Sequence, residues 1–176
     1  MQNYHPDRYL YIMEPEIHTA YYSSPVGLLE ITGNDDGILS VHFMDTKKKI
    51  SSKINPCLKE CIYQLDEYFK GIRKEFGLKL NPKGTAFQLK VWEQLLTVPF
   101  GRTASYLDIS KLIGDVKATR AVGTANGCNP IAVIIPCHRI IGADGKLVGY
   151  GGGIKRKEWL LNHESAIHHG KQTTLF

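Results

Sequence analysis

Pro136-Cys137-His138-Arg139 is the densest group of reactive side chains in the sequence, and it follows five apolar residues, Ile131-Ala132-Val133-Ile134-Ile135, without a break. Its chemistry would be that of a thiol. A free cysteine with a pKa near ~8.5 is little ionised at neutral pH, and a neighbouring base that takes its proton makes the nucleophile available. His138 is such a base, and it needs an orienting partner, for which a carboxylate is the usual choice. The apolar run is too short to cross a membrane and reads as a buried segment, while the proline ends regular structure, so Cys137 stands at the edge of a core. These residues alone leave a second reading open. Free cysteine is among the most buried residue types, and Cys137 could be a core residue that happens to precede a histidine.

The other cysteines compete poorly for the role. Cys57 and Cys61 lie four apart in a stretch with helical periodicity, and no second Cys or His pair follows at a zinc-like spacing, so neither a metal site nor a secreted disulfide framework is expected. Met1 to Glu16 mixes charged and single apolar residues and lacks the apolar core of a signal peptide, which points to a cytoplasmic protein. The net charge of +5 is unevenly placed: residues 1–83 hold eleven Lys or Arg against eleven Asp or Glu, and residues 84–176 hold eleven against six. A basic half is what attraction to phosphates needs.

With 176 residues and 43% apolar content the chain can bury a real core. Ala20–Ser24, Leu28–Gly33 and Ile38–Phe43, separated by Pro25-Val26-Gly27 and Asn34-Asp35-Asp36-Gly37, read as a meander of short strands. Lys47, Lys48, Lys49 and Lys53 follow in a polar stretch that reads as a solvated loop. Leu58, Cys61, Ile62, Leu65 and Phe69 repeat at helical spacing before Gly71, and Gly77–Leu80 reads as one more strand. Asn81-Pro82-Lys83-Gly84 is the best linker, which divides the chain into 1–83, 84–165 and a flexible tail, 166–176. Thr85 can cap a helix through Val91, Trp92 and Leu95. Ala104–Ile113, Gly114 and a second helix from Lys117 to Gly127 then form a helix-turn-helix pattern. That second helix is thin, with Ala118, Ala121, Gly123, Ala125 and Gly127, and carries Lys117, Thr119 and Arg120. It suits either close core packing with a solvated basic edge or entry into a DNA groove.

A helix-turn-helix, then Gly127-Cys128-Asn129-Pro130, then the apolar run into Pro136-Cys137-His138-Arg139 resembles the O6-alkylguanine-DNA alkyltransferases, densely over residues 85–165 and more loosely before them. The resemblance implies an α/β (α+β) fold with a small RNase H-like N-terminal domain and a mainly helical C-terminal domain. It implies a monomer that acts on double-stranded DNA, with no metal or organic cofactor. Cys137 becomes the alkyl acceptor, His138 and Glu164 its hydrogen-bond relay, and Asn129 the brace of the active-site turn. Arg120 fills the gap left by a flipped base and Tyr106 stands beside the rotated phosphate. Ala118, Thr119, Ala121 and Gly123 form a thin face for the minor groove. A thioether has no easy hydrolysis route, so each molecule acts once. A non-catalytic damage-binding protein on the same scaffold and a thiol hydrolase are the alternatives; the presence of cysteine, histidine and glutamate argues against the first, and the lack of a turnover route against the second.

The same resemblance makes Tyr150, Gly151 and Gly152 the loop that closes the base pocket, with Ile140 lining it. The plain triple glycine 151–153 stands where some relatives carry a hydroxyl or larger residue, which implies a roomier or more mobile pocket and leaves alkyl size and thymine O4 lesions open. Some relatives hold zinc in the N-terminal domain; here His5 and His18 have no cysteine near them, and no zinc is expected. Finally, Gln172-Thr173-Thr174-Leu175-Phe176 resembles the Gln-x-x-Leu-Phe peptides that dock on sliding clamps, with Leu175 and Phe176 as apolar anchors and Gln172 as the polar contact. A tail that folds back on the domain is the other reading.

Overall fold

The structure is a computed structural model that describes residues 15–46, 48 and 54–164, and the backbone of 167–168 and 171–172. His5, Lys47, Lys49, Lys53, Leu175 and Phe176 lie outside the described residues. Three strands, β1 (His18–Ser24), β2 (Gly27–Asn34) and β3 (Gly37–Met44), form an antiparallel meander in the order β1-β2-β3. The register sets Ala20 against Ile31 and Ile31 against Val41, and all three side chains are buried. Period-two alternation therefore delivers one apolar face. Helix α1 (Pro56–Phe69) covers it with Leu58, Cys61 and Leu65. Asn55 caps α1 by accepting from Cys57 N–H, and Pro56 occupies the first turn, where its missing donor costs nothing.

The outer edge of β3 is closed by two other parts of the chain. Ile38 N–H donates to Lys79 O and Asn81 N–H to Ile38 O, both at 2.8 Å. The strand expected at Gly77–Leu80 is thus reduced to one bridge at Leu80. Further along, Val41 N–H donates to Pro130 O and Ala132 N–H to Val41 O, at 2.9 and 3.0 Å. The start of the apolar run is an extension of the N-terminal sheet.

The C-terminal half is mainly helical. Thr85 and Gln88 form a capping box for α2 (Ala86–Leu95), and Ser105 and Asp108 form another for α3 (Tyr106–Leu112). Gly114, at φ +84°, reverses the chain after α3. The second helix of the pair starts later than its composition suggests. Asp115 caps a 3-10 turn at Val116–Ala118, and α4 proper is Thr119–Gly127. Trp92 Nε1 donates to Ala125 O at 2.8 Å and ties α2 to α4. Two residues, β4 (Ala104–Ser105), pair in parallel with β5 (Ile140–Ile141), and α5 (Ile154–His163) follows Gly153. Part of the segment expected to be a flexible tail is paired: β6 (Ile167–His168) lies antiparallel to β7 (Lys171–Gln172). No helix among the described residues is long and apolar enough to cross a membrane.

Candidate active site

Cys137 opens a single 3-10 turn, Cys137–Arg139, and is reached through two tight reversals. Ile134 N–H donates to Ala132 O across Val133, and Cys137 N–H donates to Ile135 O across Pro136, at 2.9 and 2.8 Å. Bonds of this span close γ-turns. Proline suits the second, at φ −82° and ψ 57°. Val133 sits at φ +71°, where a β-branched residue is strained, and its complete burial holds it there. Asn129 braces both ends. Its Oδ1 accepts from Ile131 N–H at 3.0 Å, while Nδ2 donates to Ile135 O at 2.8 Å and to Cys137 Sγ at 2.9 Å.

Behind the thiol lies a buried polar cluster centred on Glu164, the residue that ends α5. Glu164 Oε1 pairs with His138 Nε2 at 2.8 Å and accepts from Tyr68 OH at 2.7 Å and from Arg139 Nη2 at 2.9 Å. Oε2 accepts from Arg139 Nε at 2.8 Å and from Gly101 N–H at 3.3 Å. Burial alone would raise the carboxyl pKa, but His138 and Arg139 together hold it far below the usual carboxylate range. An ionised Glu164 accepts only, so His138 carries its proton on Nε2 and leaves Nδ1 as a lone pair. That Nδ1 is buried and has no partner among the described residues. Burial lowers the His138 pKa despite Glu164, which keeps the ring neutral.

The thiol itself is held protonated. Burial pushes Cys137 up to about 11, partly offset by the Asn129 hydrogen bond and the charge of Lys157. Lys157 was not singled out from sequence, where it looks like one of several basic residues on an amphipathic helix. It is fully buried, and its Nζ donates to Ile140 O at 2.5 Å, Val148 O at 2.7 Å and Gly149 O at 3.4 Å. Burial lowers its pKa to about 8, against the upward pull of Cys137. It joins the strand after the thiol to the loop that carries Tyr150.

Cys137 opens into a cavity of about 240 Å³ lined also by Asn129, Tyr150, Gly151 and Gly152, and by Asn126, Ala132 and Phe43. Tyr150 OH and Asn126 Oδ1 are buried there without partners among the described residues. Ile140, expected to line the pocket, does not: β5 buries its side chain completely in the core. Tyr106 stands to one side, with its hydroxyl donating to Val148 O at 3.3 Å and its ring against Gly123. On α4 and the turn that precedes it, Arg120 and Ala121 are exposed, whereas Ala118, Thr119 and Gly123 are half-buried. Among the described residues no three His, Cys, Asp or Glu side chains are placed to hold a metal.

Arg139, Tyr68, Lys157 and Phe43 belong to this constellation and were not assigned from sequence. Only Arg139 carried a signal, its place in the Pro-Cys-His-Arg run.

Fold and site together define a two-domain protein in which a buried thiol, backed by a histidine–carboxylate pair, lies against the second helix of a helix-turn-helix. The chain belongs to the 6-O-methylguanine DNA methyltransferase family: residues 17–82 match the family's ribonuclease-like domain and residues 86–166 its DNA-binding domain. It is 45% identical over 155 residues to a methylated-DNA--protein-cysteine methyltransferase of Methanosarcina acetivorans, covering 85% of this chain and 99% of the relative. A protein of the same name from Mycobacterium leprae is 44% identical over 152 residues, covering 84% and 92%. The crystal structure of the Mycobacterium tuberculosis O6-methylguanine methyltransferase superposes with a TM-score of 0.77 at 40% identity, covering 89% of this chain and 97% of that one. The mycobacterial protein in complex with DNA gives the same TM-score at 44% identity, covering 84% and 92%.

Proposed function

We propose that the protein repairs DNA by direct reversal, moving the alkyl group of O6-alkylguanine to the sulfur of Cys137 once per molecule. The Cys137 sulfur attacks the alkyl carbon, the S–C bond forms as the C–O6 bond breaks, and guanine leaves. The thiol proton passes to His138 Nδ1, directly or through water, and one proton, returned from the site through water, neutralises the departing guanine, so that none is gained or lost overall. The observation that carries this reading is the 2.8 Å contact of His138 Nε2 with Glu164, from which the tautomer of the ring follows. Glu164 claims Nε2–H and leaves Nδ1 as a buried, unpaired acceptor on the residue next to the thiol. A neutral histidine suits the task, because a protonated ring could not accept.

The substrate base must leave the duplex to reach the cavity, at a cost of roughly a few kcal/mol that is smaller for a damaged pair. In this proposal Arg120 occupies the gap in the stack, Tyr106 stands by the rotated phosphate, and Ala118, Thr119, Ala121 and Gly123 let α4 approach the minor groove closely. The unpaired Tyr150 hydroxyl and Asn126 carbonyl offer polar partners to the flipped base. In this proposal the protein acts as a monomer in the cytoplasm, on the nucleoid in a prokaryote or in the nucleus in a eukaryote. Mass spectrometry after incubation with an O6-methylguanine duplex tests the proposal: one methyl should replace one hydrogen, on Cys137. Unmodified Cys137 in a protein that still binds the duplex would leave only a damage-binding role.

We further propose that Gln172, Leu175 and Phe176 dock on a sliding clamp, on the strength of the Gln-x-x-Leu-Phe pattern alone. A peptide of residues 168–176 should bind the host clamp saturably and lose binding when Phe176 is replaced by alanine; absence of such binding ends the idea.

A further inference from the structure

The triple glycine after Tyr150 raises the question of what occupies the space that a side chain there would fill. At Gly152 the space is taken by the neighbouring Tyr150 ring and by a ring from the other domain. A Cβ on Gly152 would meet Phe43 Cδ2 at 2.7 Å, Tyr150 Cε1 at 2.8 Å and Phe43 Cε2 at 3.0 Å, all far inside contact distance. The Phe43 ring, carried on β3, stands where a residue at 152 would stand, and it lines the same cavity as Cys137. It also meets the Tyr150 ring edge-on, with centroids 6.3 Å apart. Gly152 therefore does not open the pocket. It admits a wall from the N-terminal sheet.

That wall is fastened by Arg156, in the first turn of α5. All three guanidinium nitrogens are engaged: Nε donates to Val26 O at 2.8 Å, Nη1 to Gly152 O at 2.9 Å and Nη2 to Asp45 Oδ1 at 2.9 Å. The same group lies 4.9 Å from the centroid of the Phe43 ring. Val26, Phe43 and Asp45 belong to the N-terminal meander and its flanks, and Gly152 to the pocket loop, so one side chain fixes the spacing between them. The ion pair with Asp45 adds little, because that carboxylate is largely exposed. The two carbonyl contacts and the ring contact hold the geometry.

We propose that Phe43 is a specificity-determining residue of the acceptor pocket and that Arg156 is the positioning residue that holds it, so that the N-terminal domain sets the size of alkyl group transferred. This rests on the acceptor role of Cys137. A ring at this place leaves room for a small group and crowds a large one, and hydrophobic pockets discriminate by about tenfold or more per methylene-sized change.

The test is the ratio of single-turnover rates for O6-benzylguanine and O6-methylguanine in the same duplex, read by intact mass, in wild type, Phe43→Leu, Phe43→Ala, Arg156→Met and the Phe43→Ala/Arg156→Met double variant. A ratio cancels losses due to unfolded protein, which affect both substrates equally. The benzyl-to-methyl ratio should rise about tenfold in Phe43→Ala and less in Phe43→Leu. Arg156→Met should move it in the same direction, and the double variant should go no further than Phe43→Ala, because Arg156 acts through the ring. An unchanged ratio, or a parallel fall in both rates, overturns the proposal and leaves Phe43 a packing residue. Failure of wild type to transfer either group is distinct from these results: it overturns the acceptor role and this proposal with it.

Discussion

Glu164 is the residue on which the site's electrostatics turn. It accepts five hydrogen bonds from four residues, two of them with cationic or imidazole side chains, and it is almost completely buried. Removing one charge of such a cluster strands the other, at about 3–5 kcal/mol. Glu164→Gln should lose that much stability in denaturant titrations and should lose alkyl transfer, because an amide at Oε1 no longer fixes the His138 tautomer. The sign of the pH dependence follows from the same group. Its folded pKa is depressed, so its contribution is present above the unfolded value of 4.5 and is lost as pH falls through the folded value. His138 acts in the same direction: its folded pKa lies below 6.5, the unfolded chain binds the proton first, and stability falls below that pH. Wild type should therefore lose stability on acidification from about pH 6.5 through His138 and further below pH 4.5 through Glu164, and Glu164→Gln should lack the second loss while keeping the first. Lys157 acts in the same direction, at alkaline pH. Its folded pKa of about 8 lies below the ordinary 10.5, so the unfolded chain holds the extra proton between them and stability rises with pH across that window. Lys157→Met should remove that rise relative to wild type and slow Cys137 alkylation at neutral pH, because the Lys157 charge helps to lower the thiol pKa. An unchanged rate would mean that Lys157 only fastens the loop.

At the scale of elements, what was legible in the sequence is what local patterning encodes. β1, β2, β3, α1 and α2 follow from period-two and helical repeats with recognisable caps, because each buries one face against a neighbour. Less local features escaped. The apolar run 131–135 reads correctly as buried, but nothing in five aliphatic residues announces a turn at Val133, whose left-handed backbone is imposed by Asn129, Val41 and the surrounding core. Ile140 was expected in the pocket and lies in the core because pairing with Ala104 turns it inward. Tyr68, Phe43 and Lys157 act through contacts with residues distant in sequence or through backbone carbonyls, neither of which leaves a motif. For α4 the pattern of exposure makes a prediction. Arg120 and Ala121 are exposed and hold nothing in the core together, so their replacement should spare the fold and act on DNA alone. Arg120→Ala should reduce transfer from a duplex far more than transfer from free O6-benzylguanine, and should lower the salt dependence of duplex binding by about one counterion if it meets a phosphate. Equal losses on the two substrates would remove Arg120 from the DNA interface.

Across the whole molecule, the two halves are joined at the site itself. Val41 of β3 exchanges hydrogen bonds with Pro130 and Ala132, Tyr68 of α1 reaches Glu164, His163 Nε2 bonds Tyr68 O at 2.7 Å, and Trp159 packs on Phe69. Each contact links the N-terminal domain to a segment that positions Cys137, His138 or the pocket loop. A domain whose loss exposes the Glu164 cluster to water cannot open independently without cost to the other, so the two should unfold as one cooperative unit. The sequence supplies separate reporters for the two halves. Cys61 is fully buried beneath the N-terminal sheet, and both tryptophans, Trp92 and Trp159, lie in the C-terminal half. Burial also pushes the Cys61 thiol up to about 12, so labelling in the native state is slow and reports opening. In the Cys57→Ser/Cys128→Ser/Trp159→Phe background, which leaves Trp92 between α2 and α4 as the reporter of the C-terminal half, the urea dependence of Cys61 labelling and of tryptophan fluorescence should give one midpoint and one slope. Labelling of Cys61 at distinctly lower urea than the fluorescence change would mean that the N-terminal sheet opens alone, and that the contacts through Val41 and Tyr68 are too weak to bind the acceptor site to it.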